Sequence, residues 1–166
     1  ELPVAYDGLT IVVNPKNTWC NSLTVEQVKK IYSASGGVKT WKDLDASWPA
    51  NPIKVYSPGT DSGTFDYFTE AINGKSKASR GDFTASEDDN VLVQGVSSDI
   101  NAIGYFGYAY YAENTNKLKA VPIVNPKGQA VAPSEAAVLA GTYEPLSRPI
   151  FIYVNAKSVA KPEVKE

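Results

Sequence analysis

The residues best suited to bind a ligand or do chemistry are Ser62, Gly63 and Thr64, which follow one another in segment 53–72. The two hydroxyls can donate hydrogen bonds to an oxyanion, and a glycine lets such a ligand approach the backbone. If a helix begins here, its first turn adds unpaired backbone N–H groups and the positive end of the helix dipole. The pattern predicts an anion-binding site, and the alternative is an ordinary capped helix with nothing bound.

The flanking residues predict the elements that hold this motif. Residues 53–57 alternate apolar and polar side chains, which is typical of a strand with one buried face, and residues 58–60 have turn chemistry. Either Asp61 or Ser62 suits the N-cap position of a helix that follows. The apolar side chains of that helix recur at helical spacing, at Phe65, Phe68 and Ile72.

The residue types that are missing exclude several kinds of chemistry. The chain has no histidine, which excludes Ser-His-Asp and Cys-His catalysis and histidine-ligated zinc. It has one cysteine, Cys20, so neither an intrachain disulfide nor a thiolate metal cluster can form. Ser62 could act as a hydrolase nucleophile, but its loop offers no base and matches neither the nucleophile elbow nor the P-loop. We expect no catalytic residue, metal or cofactor, and keep the Ser62-dependent hydrolase as an alternative.

Length and charge limit the domain organisation and the classes of binding partner that this chain can have. The 166 residues fit one domain with its own core. A net charge of −2 and a pI near 5.3 argue against nucleic acid or an anionic membrane as a partner. The apolar runs are too short for a membrane span, and no signal peptide is recognisable. Because the chain contains no methionine, we expect it to be processed or excised from a longer product.

The rest of the chain alternates strand-like and helix-like stretches. Glu87, Asp88 and Asp89 are adjacent, which favours the start of a helix over a metal site. This alternation predicts an α/β fold, with a largely parallel sheet, helices on both faces and a ligand at the carboxyl ends of the strands. Further strands are expected within 2–13, 102–106, 118–124 and 150–154, and helices over 25–32 and 133–139. Residues 107–111 are expected to form a short helix or a turn.

Four segments together resemble the PstS-type phosphate-binding proteins, the receptors of high-affinity phosphate ABC importers, and their cyanobacterial-type branch in particular. These segments are SPGTDSGTFDYFTEAI, SRGDFTASEDDNVLVQGV, AIGYFGYAYY and YEPLSRPIFIYV, and the similarity spans residues 3–154 in order. Such receptors are type II periplasmic binding proteins, in which two crossing strands join two α/β lobes around the anion. The resemblance implies one lobe of such a receptor, without the other.

The resemblance also implies boundaries, partners and a location. Residues 1–14 would form the first crossing strand, 15–148 the phosphate-binding second lobe, and 149–166 the return strand with a truncated tail. The implied partners are inorganic phosphate, the membrane permease of the importer, and either the missing first lobe or a second copy of the chain. The implied location is the periplasm or the cell surface. A truncated lobe that acts mainly as a dimerising fragment, through its exposed hinge strands, is an alternative.

Carried over residue by residue, Ser62, Gly63 and Thr64 match the family's phosphate-gripping motif. Many members have an arginine four residues before that serine, where this chain has Pro58. Arg80 could fold back over the loop instead, since its guanidinium suits two phosphate oxygens. The alternatives for Arg80 are an exposed position or a pairing with Asp82 or Asp66. Asp61 is a nearby candidate to accept a phosphate proton, whereas the resemblance places that acceptor in the missing lobe. Arg148 belongs to the hinge motif, where we expect a structural role.

Overall fold

The computed structural model describes residues 2–134, 136–137, 142–143 and 145–152. The helices are α1 (Val25–Tyr32), α2 (Gly63–Asn73), α3 (Asp89–Ser98) and α4 (Tyr108–Ala112), and a 3-10 turn covers Trp41–Asp43. The strands are β1 (Leu2–Val13), β2 (Leu23–Thr24), β3 (Lys54–Pro58), β4 (Thr84–Ser86), β5 (Ala102–Gly107), β6 (Lys119–Ala120), β7 (Ile123–Val124), β8 (Ala130–Val131) and β9 (Ser147–Ile152). Strands therefore alternate with helices through the middle of the chain, as the sequence predicts.

The main sheet has six strands, in the order β4-β3-β5-β1-β6, with β9 also paired to β1. Strand β3 runs parallel to both β4 and β5. Strand β1 runs antiparallel to β5, β6 and β9, so it alone opposes the direction of the other strands. The predicted α/β class with a mixed, mostly parallel sheet is confirmed. A small second sheet, β2-β7-β8, lies outside this arrangement and was not predicted.

Two separate cores lie on the two faces of the main sheet. Side chains that alternate along β1 and β5 divide between them, as the two-residue period of a strand requires. Ile11 and Tyr105 belong to the core that contains the buried faces of α1 and α2. Val12 and Phe106 belong to the core that contains the buried face of α3. The prediction of helices on both faces is therefore confirmed.

Strand β3 and helix α2 form the central unit that the sequence predicts. Pro58 extends β3 one residue beyond the predicted end, which its position as the last strand residue allows. Helix α2 buries its apolar stripe and ends at Gly74, whose φ of 81° is the left-handed conformation that favours glycine at a helix end. Helix α1 covers the predicted residues 25–32, and a capping box at Thr24 opens it.

Two parts of the sequence prediction for strands are wrong. The single strand expected over 118–124 is two strands in different sheets, since β6 pairs with β1 and β7 pairs with β2. Pro122 lies between them and lacks the N–H that a continuous ladder would need. Strand β4 was missed because it is short and mostly exposed, so no apolar alternation marks it.

Strand β1 is continuous through Asp7 and Gly8, where the sequence divides its apolar residues into two runs. Its first half pairs with β9, from Leu2 to Gly8, and its second half pairs with β5, from Leu9 to Val13. The two-stranded part formed by 2–8 and 147–152 is called the β1–β9 ribbon below. The predicted strand 150–154 agrees with β9 as far as Ile152. The predicted helix 133–139, the end of that strand and the tail lie wholly or partly outside the described residues.

Across the part of the chain with described coordinates, no helix combines the length and the apolar character that a membrane span requires.

Candidate functional site

The carboxyl ends of three neighbouring parallel strands meet at one edge of the main sheet. Strand β3 lies between β4 and β5, and each of the three leads into the start of a helix: β3 into α2, β4 into α3 and β5 into α4. In α/β sheets, ligands bind at this edge, because loops and helix N-termini converge there. The residues predicted for anion binding, Ser62, Gly63 and Thr64, lie on the central one of these three connections.

The loop between β3 and α2, residues 59–62, is held from both ends. The Ser62 N–H donates to the Gly59 carbonyl at 2.9 Å, which closes a turn, and the Gly59 N–H donates to the Ser86 carbonyl at 3.0 Å. A Cβ at Gly59 would lie 1.8 Å from Glu87 Oε1, so the loop and the start of α3 are in close contact. The absence of a side chain at Gly59 permits this approach.

At the N-terminus of α2, one backbone N–H group is hydrogen-bonded and its neighbours are not. Ser62 is the N-cap, and its Oγ accepts from the Thr64 N–H at 3.1 Å. Within the described residues, the N–H groups of Gly63 and Phe65 have no hydrogen-bond partner, as expected for a first helical turn. Gly63 is exposed, and a Cβ there would meet nothing within 4 Å. The structure thus selects Ser62 over Asp61 as the cap and leaves open space above Gly63.

An aromatic cluster anchors the end of β3, which leads into the loop. The buried Ser57 hydroxyl donates to the Pro58 carbonyl at 2.8 Å and lies 3.1 Å from the Tyr105 hydroxyl. The Tyr105 ring stacks on Phe68 of α2, with centroids 3.6 Å apart, and meets Tyr32 of α1 edge to face at 5.2 Å. Burial raises the pKa of the Tyr105 phenol, so this group stays neutral. The end of β3 is therefore anchored to both helices of one core.

Arg80 lies at the C-terminal end of α1. Its Nη1 donates to the carbonyls of Ile31 and Val38 at 2.8 and 3.1 Å, and its Nε and Nη2 donate to the two Asp82 carboxylate oxygens at 2.6 and 2.8 Å. Of the alternatives for Arg80, the structure shows the pairing with Asp82. In the described part of the chain, its guanidinium makes no hydrogen bond to loop 59–62. The phosphate contact of Arg80 stays a prediction.

The charges at this edge are mostly negative. Asp61 is exposed, and its carboxylate has no hydrogen-bond partner among the residues described. At the start of α3, burial together with Asp88 and Glu87 raises the pKa of Asp89. Lys77 counters this charge, because its ammonium donates to the Thr60 carbonyl at 2.7 Å and forms an ion pair with Asp66 at 3.1 Å. Nothing in the local sequence indicates this role for Lys77, since the contact joins residues 17 positions apart.

The sequence matches the family model of the PBP superfamily domain over residues 1–166. The chain belongs to the PBP superfamily. This PBP domain is 54% identical to Protein SphX of Synechococcus elongatus, over 99% of the chain and 49% of that protein. It is 44% identical to the Phosphate-binding protein PstS of Staphylococcus saprophyticus, over 96% of the chain and 48% of that protein. The resemblance to PstS-type proteins is confirmed.

The fold of this PBP domain is similar to a solved structure described as a possible phosphate binding protein from Planctomyces limnophilus. The TM-score is 0.90 at 51% sequence identity, over 98% of this chain and 58% of that one. The domain thus spans about half the length of the curated relatives it matches. This likeness confirms the predicted fold, which is a single lobe of a phosphate-binding protein.

Proposed function

We propose that the chain binds inorganic phosphate at the N-terminus of α2, as one lobe of the substrate-binding receptor of a phosphate ABC importer. The observation that carries this proposal is the open Gly63 N–H at the carboxyl edge of the sheet, in a chain whose relatives are named as phosphate-binding proteins. A helix N-terminus favours anions because its unpaired N–H groups and its dipole both point toward the ligand. The proposed role is reversible capture without chemistry.

The proposed contacts come from three consecutive residues. The Gly63 N–H donates to one phosphate oxygen, and the open space above it admits the ligand. The Ser62 hydroxyl accepts the Thr64 N–H with a lone pair, which leaves its own hydrogen available for a second oxygen. The partly exposed Thr64 hydroxyl supplies a third donor. Asp61 is proposed to accept the proton that phosphate carries at neutral pH and that sulfate lacks.

The proposal does not depend on Arg80. A phosphate contact would require its guanidinium to leave Asp82 and two backbone carbonyls. A nucleophilic role for Ser62 has no support either, because the chain contains no histidine. Among the described residues, the Ser62 hydroxyl makes no hydrogen bond to an ionisable side chain.

A second lobe is part of the proposal. The curated relatives are about twice as long as the stretch that this chain matches. The β1–β9 ribbon, with segments 1–14 and 149–166, is proposed to lead to the lobe that covers the rest of the anion. Phosphate carries up to two charges at neutral pH and must be surrounded by donors before it loses its water. We therefore expect weak binding by this chain alone, a periplasmic location for the whole receptor and delivery to a membrane permease.

A calorimetric titration of the chain with phosphate, and with sulfate as the control ligand, tests the proposal. The decisive variant is Gly63→Ala, and its matched control is Gly81→Ala, because a Cβ at either position meets nothing within 4 Å. We expect Gly63→Ala to weaken phosphate binding at least about tenfold, because the methyl group occupies the ligand's space. Stability should not fall, since alanine is a better helix former by up to about 1 kcal/mol.

Three outcomes are informative. Wild-type affinity in Gly63→Ala would contradict the site. Equal losses in Gly63→Ala and Gly81→Ala would show that the effect is not specific to the loop. If the chain alone gives no heat, the same two variants are compared in the complete two-lobed receptor, where the expected difference is the same.

A further inference from the structure

Lys77 connects the anion-binding loop to the first turn of α2. Its Nζ donates to the Thr60 carbonyl at 2.7 Å and lies 3.1 Å from Asp66 Oδ1. Thr60 precedes the Ser62 cap by two residues, and Asp66 is the fourth residue of α2. One ammonium group therefore contacts residues on both sides of the proposed phosphate-binding residues 62–64.

The backbone of Lys77 is held in a strained conformation. Its φ of 66° lies in the left-handed region, which glycine or asparagine adopts more easily than lysine. The Lys77 N–H donates to Thr69 Oγ1 at 2.7 Å, and the buried Thr69 hydroxyl donates in turn to the Phe65 carbonyl at 2.8 Å. Strain that the surrounding structure maintains is a recognised feature of functional positions. Here it directs a lysine side chain toward the loop.

The contact with Thr60 fixes the direction of one peptide group. In a trans peptide, the carbonyl oxygen and the following N–H point in opposite directions. Because the Thr60 oxygen is directed toward Lys77, the Asp61 N–H is directed away from it. That N–H has no hydrogen-bond partner within the described residues. Lys77 thereby keeps an additional donor available on the opposite side of the loop.

The contact with Asp66 removes a repulsive charge. Asp66 is in the first turn of α2, where its carboxylate would compete with a bound anion for the helix N-terminus. The paired ammonium offsets that charge, and it does so beside a rim that also carries Asp61 and Glu87. Both side chains are part-exposed, at 56% for Lys77 and 39% for Asp66, so salt weakens the pair.

We propose that Lys77 is a positioning residue for oxyanion binding, which orients the 60–61 peptide and neutralises Asp66. This inference rests on the proposed phosphate function and deepens it.

Amide NMR spectra of the 166-residue chain, recorded while inorganic phosphate is added, test the inference. Lys77→Gln removes the charge at the same backbone conformation, Lys77→Arg restores it, and Lys75→Gln is the matched control at an exposed neighbouring lysine. We expect Lys77→Gln to weaken phosphate binding about fivefold, the size of an exposed charge pair. The Lys77→Arg and Lys75→Gln variants should stay near wild type, and the thermal midpoint should be unchanged in all three.

The Asp61 amide gives a second readout that needs no ligand. Its chemical shift in the phosphate-free chain should change in Lys77→Gln and remain in place in Lys75→Gln. Equal phosphate affinities in Lys77→Gln and wild type would overturn the inference, and so would an equal loss in Lys75→Gln. If the wild-type amides of 62–64 do not respond to phosphate at all, binding by the isolated chain has failed. The same three variants are then titrated with phosphate in the complete two-lobed receptor, where equal affinities in Lys77→Gln and wild type would overturn the inference.

Discussion

Replacing Arg80 by alanine separates a structural role from a ligand-binding one. The Arg80 side chain is only 14% exposed, and its guanidinium joins the end of α1 to Val38 through the carbonyls of Ile31 and Val38. Arg80→Ala leaves both carbonyls without this donor and removes a cation from a helix C-terminus. Hydrogen bonds from a charged donor are worth about 1.5–3 kcal/mol each, and a cation at a helix C-terminus about 0.3–1 kcal/mol.

We expect a loss of about 3 kcal/mol in the free energy of unfolding, because solvent partly replaces the lost donor. For a domain of this size, that loss lowers the melting temperature by about 10 °C. Asp82→Asn is the control, since its side chain is 70% exposed. An exposed pair contributes about 0–1 kcal/mol, so this variant should remain close to wild type.

Urea unfolding followed by tryptophan fluorescence measures both variants. Trp41 is fully buried and lies edge to face with Trp19 and Trp48, at 5.7 and 6.2 Å, so the signal reports loss of this core. Phosphate affinity is measured on the same variants below the unfolding transition. A change of less than about 0.5 kcal/mol in Arg80→Ala would refute the structural argument, since it equals that of an ordinary surface substitution. Full stability with lost phosphate binding would instead support a ligand contact for Arg80.

Two further predictions concern titratable groups outside the loop. Burial raises the pKa of the Cys20 thiol to about 12, so the folded chain should not react with a disulfide reagent at pH 8, whereas the urea-unfolded chain should. Rapid labelling of the native chain would contradict the buried position of Cys20. The Arg80 guanidinium holds the pKa of Asp82 at about 2, so this carboxylate stabilises the fold above its usual pKa near 4 and less as the pH falls toward 2. The decrease in unfolding free energy over that interval should be smaller in Asp82→Asn, and identical pH profiles would disprove the linkage.

The β3–α2 unit was predictable because its signals are local. A two-residue period gives way to helical spacing across a turn, and Ser62 follows the residue preference of an N-cap. Strand direction is different, because it depends on the path of the whole chain. Nothing within β1 itself indicates that it opposes its neighbours, and its antiparallel pairing with β5 joins residues far apart in sequence.

The side-chain environment of the site was less predictable than its backbone. Arg80 contacts Ile31, 49 positions away, and Lys77 contacts Thr60, 17 positions away. No periodicity or motif relates such residues, so the sequence allowed several partners for Arg80 and none in particular for Lys77. Pro122 is a different case, since its missing N–H was readable from the sequence and should have divided the strand expected over 118–124.

The continuity of β1 has a mechanical consequence. The strand passes from the β1–β9 ribbon into the middle of the main sheet without a break, with Gly8 opposite Ser147 and Leu9 opposite Gly107. The Leu9 N–H also donates to the Leu146 carbonyl at 2.8 Å, which braces the strand at the same point. The backbone pairing of β1 is therefore continuous where the ribbon enters the sheet. A rotation of the outer end of the ribbon would therefore turn the sheet, its helices and loop 59–62 together, as one body.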